Sequence, residues 1–183
     1  GPLKDTHGDV ALAVWTTTPW TLVSNTAVAV NPDVTYVVTR TATGEQLIIA
    51  EQLVTAVAGD DAVEVARYSG RDLEHTAYIR PFDLVEIPDS HYVVLADYVT
   101  TEDGTGLVHL APAFGADDLA ATKVYGLPVV NPVRPDGPFE SSVPLVGDVF
   151  FKDADETLVN DLRDRGLLLK HLPYEHSYPH CWR

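Results

Sequence analysis

Three consecutive threonines, Thr16, Thr17 and Thr18, stand between two tryptophans and directly before Pro19. Threonine fits a β-strand because its branched Cβ suits the pleated backbone. At a strand end its hydroxyl can also bond to nearby main chain. The same hydroxyls could instead form the polar wall of a ligand pocket. Composition favours the strand end and turn, and the pocket wall remains the alternative. Asn25 could equally turn the chain or bind a ligand.

A histidine and two aspartates lie close together in a second stretch, where a strand carries His109 and a helix opens on Asp117 and Asp118. Each has a structural explanation, because a lone histidine among apolar residues usually serves packing and acids at a helix N-terminus gain from the macrodipole. A strand–loop–helix connection still brings the strand end close to the helix start. His109 and a carboxylate could therefore share one pocket.

The sequence offers little support for a metal site, a serine nucleophile or a phosphate-binding loop. His171, His176, His180 and Cys181 have spacing compatible with zinc, but no second cysteine pair is present, so we expect no metal site. No Gly-x-Ser-x-Gly motif is present, and no Gly-Lys-Ser/Thr follows the Gly-Thr-Gly at 104–106. If the chain hydrolyses a substrate, water is the expected nucleophile, positioned by hydroxyls and the histidine.

Charge and composition limit the possible partners and compartment. The 183 residues carry a net charge of −15, which argues against a broad nucleic-acid surface built on Lys and Arg. No apolar run could span a bilayer and no secretory signal is evident. The single cysteine fits a reducing compartment, and we expect a cytoplasmic protein without membrane contact. Gly1-Pro2 could be a tag scar, and the absence of methionine predicts a piece excised from a longer protein.

The order of strands and helices predicts a β-rich mixed α/β fold, with short strands forming a closed or nearly closed β-barrel decorated with a few helices. The whole chain, 1–183, is expected to be one domain. The predicted strands are 10–17, 34–39, 46–49, 63–67, 91–100, 107–110 and 167–172, with hairpins at 34–49 and 91–110. The predicted helices are 51–58, 116–125 and 152–165, with glycines after each. Residues 128–144 should form an ordered surface crossing.

Three stretches in this order, WTTTPWTLVSNTAVAV, GTGLVHLAPAFGADD and YEHSYPHCWR, resemble the editing domain of isoleucyl-tRNA synthetase. The resemblance covers nearly the whole chain. Related valyl and leucyl enzymes share the threonine-rich peptide and the Gly-Thr-Gly region. Trp20 after the threonines, and His109 followed by Ala111-Pro112, are more similar to the isoleucyl form. The resemblance implies that residues 173–183 return the chain to a catalytic domain.

The resemblance also implies a role for each site residue. Asp118 would pair with the substrate ammonium group, and His109 would form the wall that rejects isoleucine. The ester and the attacking water would be held by Thr16, Thr17 and Thr18. Further pocket residues, counted as substrate-binding, would be Trp20, Thr21 and Asn25.

These roles predict hydrolytic proofreading of misactivated or mischarged valine. The implied partners are the valine moiety, the aminoacylated 3′ end of tRNA(Ile) and the rest of the synthetase in cis. No cofactor is expected in this domain. The full-length enzyme would use ATP and could also bind zinc. The alternatives are a valyl- or leucyl-type editing domain and a noncatalytic module that binds aminoacyl-adenosine.

Overall fold

The computed structural model describes Leu3 and residues 7–172. These residues form seven strands: β1 (Ala11–Leu12), β2 (Ala27–Val30), β3 (Thr35–Arg40), β4 (Gln46–Ala50), β5 (Val63–Ser69), β6 (Val93–Leu95) and β7 (Leu107–Leu110). The α-helices whose bounds lie within the described residues are α1 (Val54–Ala58), α2 (Gly70–Leu73), α3 (Ala116–Tyr125) and α4 (Ala154–Asp164). Three 3₁₀ segments lie at Pro19–Ser24, Glu51–Leu53 and Phe151–Asp153.

The described strands form two separate sheets, so the predicted barrel is wrong. One sheet has the order β1-β4-β3-β5 and the other has the order β6-β2-β7. A single parallel bridge between Trp15 and Val108 connects the segment after β1 to β7. No ladder in this part of the chain joins β5 to β6, so neither of these edges closes a cylinder. The mixed α/β class is confirmed without the closure.

Local turn chemistry explains the elements that the sequence predicted well. Strands β3 and β4 pair antiparallel through the turn that contains Gly44, as expected from the alternating apolar pattern. Helix α3 has the predicted bounds and ends at Gly126, whose φ of 67° is left-handed and favours glycine. The predicted helix at 152–165 is present as Phe151–Asp153 followed by α4, and Gly166 stands just beyond it.

The second predicted hairpin is wrong because a third strand lies between its two arms. β2 pairs in parallel with β6 and antiparallel with β7, and all four residues of β2 are buried. Its Ala-Val-Ala-Val sequence is typical of a strand buried on both faces, and this strand is absent from the predicted set. The predicted strand at 10–17 shortens to β1, that at 91–100 shortens to β6, and no strand forms at 167–172.

Apolar packing places the site region against α4. The 3₁₀ segment Pro19–Ser24 buries Leu22 and Val23 in a cluster with Phe139 and Leu158. Leu158 lies on α4, while Phe139 comes from the predicted surface crossing at 128–144, which is therefore packed into the core at this residue. A second cluster lies around the four-stranded sheet and a third around β2, β6 and α3. The threonine-rich peptide is thus fixed between the small sheet and α4.

Candidate functional site

A cavity of about 250 Å³ brings the threonine peptide, the end of β7 and the start of α3 together. Its lining residues are Trp15, Thr16, Thr17, Thr18, Thr21, Val108, His109, Ala111, Phe114 and Asp118. Asp118 is the only carboxylate among them. The structure therefore collects six of the eight predicted site residues in one place, and their roles remain predictions.

The threonine hydroxyls are linked to one another through a bent backbone. Thr16 Oγ1 accepts a hydrogen bond from the Thr18 N–H at 3.0 Å, and it lies 3.4 Å from Thr18 Oγ1. Thr18 Oγ1 in turn lies 3.1 Å from Thr21 Oγ1. The bond from the Thr18 N–H is of the local kind that Thr makes in turns. The threonines lie between β1 and the 3₁₀ segment, so this turn also forms a polar wall of the cavity.

His109 is neutral and both of its ring nitrogens have protein partners. Thr21 donates its hydroxyl proton to Thr18 O at 2.8 Å, so its oxygen accepts from His109 Nε2 at 2.8 Å. Asn25 Nδ2, which can only donate, lies 3.4 Å from His109 Nδ1. Burial lowers the pKa of His109 to about 4. His109 is thus a rigid neutral surface and offers no free nitrogen as a general base.

Asp118 is held at the first turn of α3 with its carboxylate folded back toward β7. Its Oδ2 accepts from the Ala111 N–H at 3.0 Å. Gly115 caps the helix, and a Cβ built there would lie 3.1 Å from Asp118 Cγ, so glycine leaves room for this fold-back. Burial, and to a smaller degree Asp117, raises the pKa of Asp118 despite the Ala111 bond. A partly desolvated carboxylate of this kind gains from a cationic partner.

Two predicted pocket residues, Trp20 and Asn25, do not line the cavity. The Trp20 indole packs at 4.7 Å from the Phe114 ring and 4.5 Å from the Phe151 ring, because its 3₁₀ turn directs it toward the cluster beside α4. Asn25 is 2% exposed and lies behind His109. Both residues support cavity-lining side chains instead of forming the wall themselves.

Sequence reasoning missed two residues that hold this arrangement. Asp155, in the first turn of α4, accepts from the Trp20 N–H at 2.8 Å. Tyr78 donates its hydroxyl to Asn25 Oδ1 at 2.5 Å. Acids in a first helical turn are explained by the macrodipole, and Tyr78 lies outside regular structure. Neither position carries a local signal for such a distant partner.

The described residues hold no group of three or more His, Cys, Asp or Glu side chains arranged to bind a metal ion. The zinc-like spacing at His176, His180 and Cys181 lies outside the described residues, as do the return segment and Gly1-Pro2. Within the described part of the chain, no helix combines the length and apolar character needed to cross a bilayer.

The fold is that of solved leucyl-tRNA synthetase CP1 and editing domains. The structure matches the crystal structure of GlLeuRS-CP1 with a TM-score of 0.70, covering 97% of this chain and 89% of that one at 17% identity. It also matches the P. knowlesi cytosolic leucyl-tRNA synthetase editing domain with a TM-score of 0.52, covering 63% of this chain and 50% of that one at 17% identity. At these identities the likeness concerns the fold alone.

The sequence matches point to the isoleucine enzyme. Over its whole length the chain is 64% identical to a segment of the isoleucine–tRNA ligase of Streptomyces coelicolor and spans 17% of that protein. It is 44% identical to the isoleucine–tRNA ligase of Thermus thermophilus over 94% of the chain and 16% of that protein. No protein-family model matches. The resemblance inferred from the three motifs is confirmed, and the chain corresponds to a segment of isoleucyl-tRNA synthetases.

Proposed function

We propose that this segment hydrolyses the ester of valine mischarged on tRNA(Ile), and valyl-adenylate as a second substrate, as the proofreading site of an isoleucyl-tRNA synthetase. The single observation that supports this proposal is the convergence of Asp118, His109 and Thr16–Thr18 on one cavity. A charge for the amino group, a rigid wall for the side chain and hydroxyls for the ester are the three parts such a reaction needs.

The need for a second site follows from the size of one methylene. A hydrophobic pocket extracts about 1–3 kcal/mol from such a difference, a figure for which isoleucyl-tRNA synthetase itself is a standard example. A separate cavity that admits valine and clashes with isoleucine removes the remaining errors. His109 suits this role because the residue is 8% exposed and its ring is bonded at both nitrogens, so it cannot easily move aside.

The reaction requires an oriented substrate ester and a nucleophile. The Asp118 carboxylate would pair with the substrate ammonium group, which fixes the ester carbon beside the threonine hydroxyls. Water would add to that carbon, the bond to the ribose oxygen would break, and the ribose oxygen would leave with a proton. Since both His109 nitrogens are engaged, the residues of the cavity contribute positioning and polar stabilisation and not a histidine base.

The tRNA and the rest of the synthetase are the other partners that we propose. The terminal adenosine of the tRNA would enter the cavity, while most tRNA contact would come from the rest of the synthetase in cis. A net charge of −15 agrees with this division because phosphate contacts need cationic side chains. The proposed location is the cytoplasm, with the other components of aminoacylation.

The test supplies Val-, Thr- and Ile-tRNA to the purified chain at high concentration and measures deacylation. Release of valine without release of isoleucine is the expected result. A valyl- or leucyl-type site would show another preference among the three esters. Tight binding of a nonhydrolysable valyl-adenosine analogue without cleavage of any ester would instead identify a noncatalytic binding module and refute the proposal.

A further inference from the structure

Asn25 is a buried amide whose polar atoms all have defined partners. Nδ2 donates to Ala27 O at 3.1 Å and lies 3.4 Å from His109 Nδ1. Oδ1 accepts from the Tyr78 hydroxyl at 2.5 Å. The main-chain oxygen of Asn25 accepts from His91 Nε2 at 2.9 Å. The amide is therefore clamped at its oxygen end by Tyr78 and at its nitrogen end by a carbonyl.

The directions of these bonds determine where the proton sits on His109. An amide nitrogen has only hydrogens to offer, so His109 Nδ1 must be the acceptor. In the neutral ring the proton then lies on Nε2 and points to Thr21 Oγ1, 2.8 Å away. The chain of donors runs from Tyr78 through Asn25 and His109 to Thr21, which donates to Thr18 O.

We propose that Tyr78 is a positioning residue for selectivity: its hydroxyl fixes the Asn25 amide, which holds His109 as the Nε2–H tautomer with its ring locked against Thr21. This proposal rests on the proposed function, because it concerns how the same cavity tells valine from isoleucine. Tyr78 acts through two other side chains and does not line the cavity.

The hydroxyl matters because Asn25 Oδ1 is buried and would lose its donor. A buried acceptor without a partner is costly, so the amide would rotate toward another donor or water and leave His109 Nδ1. The ring could then protonate on either nitrogen and turn. The His91 bond to the Asn25 main chain and the core around β2 would remain, so the fold should survive while the wall loosens.

The first measurement reads the tautomer directly in the 183-residue chain. Nitrogen–proton correlation spectra of ¹⁵N-histidine-labelled protein, with His109 assigned by comparison with His109→Gln, should show a proton on Nε2 and none on Nδ1 at neutral pH. Tyr78→Phe should lose this single pattern. Tyr125→Phe is the control, since Tyr125 is also partly buried and its hydroxyl donates to Glu74, away from the cavity. It should keep the wild-type pattern.

The second measurement compares kcat/KM for Val-tRNA and Ile-tRNA. We expect Tyr78→Phe to lower the Val-tRNA to Ile-tRNA ratio of kcat/KM about tenfold, which lies within the discrimination that one methylene can provide. Tyr125→Phe should keep the wild-type ratio. A wild-type proton on Nδ1, or an unchanged tautomer and ratio in Tyr78→Phe, would overturn the proposal.

Two further outcomes separate the proposals from each other. If Tyr78→Phe does not fold, Asn25→Asp replaces it, because a carboxylate cannot donate and should draw a proton onto His109 Nδ1. Absence of that proton would refute the positioning chain. If the wild-type chain cleaves neither ester, the proposed function fails, and the tautomer spectra alone still decide whether Tyr78 and Asn25 position His109.

Discussion

The Trp20 N–H donates to Asp155 Oδ1 at 2.8 Å, which ties the threonine peptide to α4 across 135 residues of sequence. Trp20 follows Pro19 at the start of a 3₁₀ turn, where the first N–H groups have no partner within the turn. Thr18, the residue before this turn, makes no capping side-chain bond. A carboxylate from a distant helix therefore supplies the cap that the local sequence lacks.

Removing this carboxylate should loosen the site. We expect Asp155→Ala to lower the free energy of unfolding by about 1 kcal/mol, as for loss of a helix cap. Deacylation of Val-tRNA should fall about tenfold, because displacement of the threonine hydroxyls disturbs the reacting geometry. Urea unfolding and initial deacylation rates measure the two effects. Glu156→Ala, at the exposed next position of the same turn, is the control and should leave the deacylation rate intact.

Asp118→Asn should separate activity from stability. Since burial raises the pKa of Asp118, the native state holds its ionised form less well than the unfolded chain does, and the charge costs stability at neutral pH. An asparagine oxygen can still accept from the Ala111 N–H. We therefore expect an unchanged or higher Tm, together with a loss of about 100-fold in Val-tRNA deacylation from the missing ion pair.

Asp117→Asn is the matched control for this experiment. Asp117 is exposed in the same helical turn and does not line the cavity. It should retain wild-type deacylation. Full activity in Asp118→Asn, or equal losses in both variants, would contradict the role of Asp118 as the anchor of the ammonium group.

His109→Ala should admit isoleucine. The ring fills the cavity end between Thr21 and Asn25, and its removal leaves space where the extra methylene of isoleucine would otherwise clash. We expect Ile-tRNA deacylation to rise to within about tenfold of the Val-tRNA rate. His75→Ala, an exposed histidine, should leave selectivity as in the wild type. Ile-tRNA that stays uncleaved by His109→Ala would count against the steric wall.

Sequence patterns predicted the parts of the site that depend on chain-local geometry. His109 and Asp118 are joined by one strand–loop–helix connection, so their common cavity follows from nine residues of chain. Helix α3 and the β3–β4 hairpin are fixed by glycine turns and apolar periodicity in the same way.

The features that could not be predicted depend on long-range pairing. β2 lies between β6 and β7 because of which strand edges are free in the folded molecule. The Gly-rich turn that joins β6 to β7 in the sequence instead suggests a hairpin. The sequence around Trp20 does not indicate that its indole packs on Phe151 instead of facing the cavity. Asp155 and Tyr78 gain their significance only from partners far along the sequence.

Acid should destabilise the protein through His109 in a defined pH window. The folded pKa of about 4 lies below the unfolded value of 6.5, so the stability associated with the neutral ring is complete above pH 6.5. It is lost as the pH falls toward about 4, and it amounts to about 3 kcal/mol. Urea unfolding between pH 7 and pH 4 should therefore show a steeper loss in the wild type than in His109→Gln. His91, whose pKa burial also lowers, contributes in the same direction in both proteins and cancels in this comparison. Parallel pH profiles for the two proteins would show that His109 is not held neutral by burial, and the rigid-wall role would lose its physical basis.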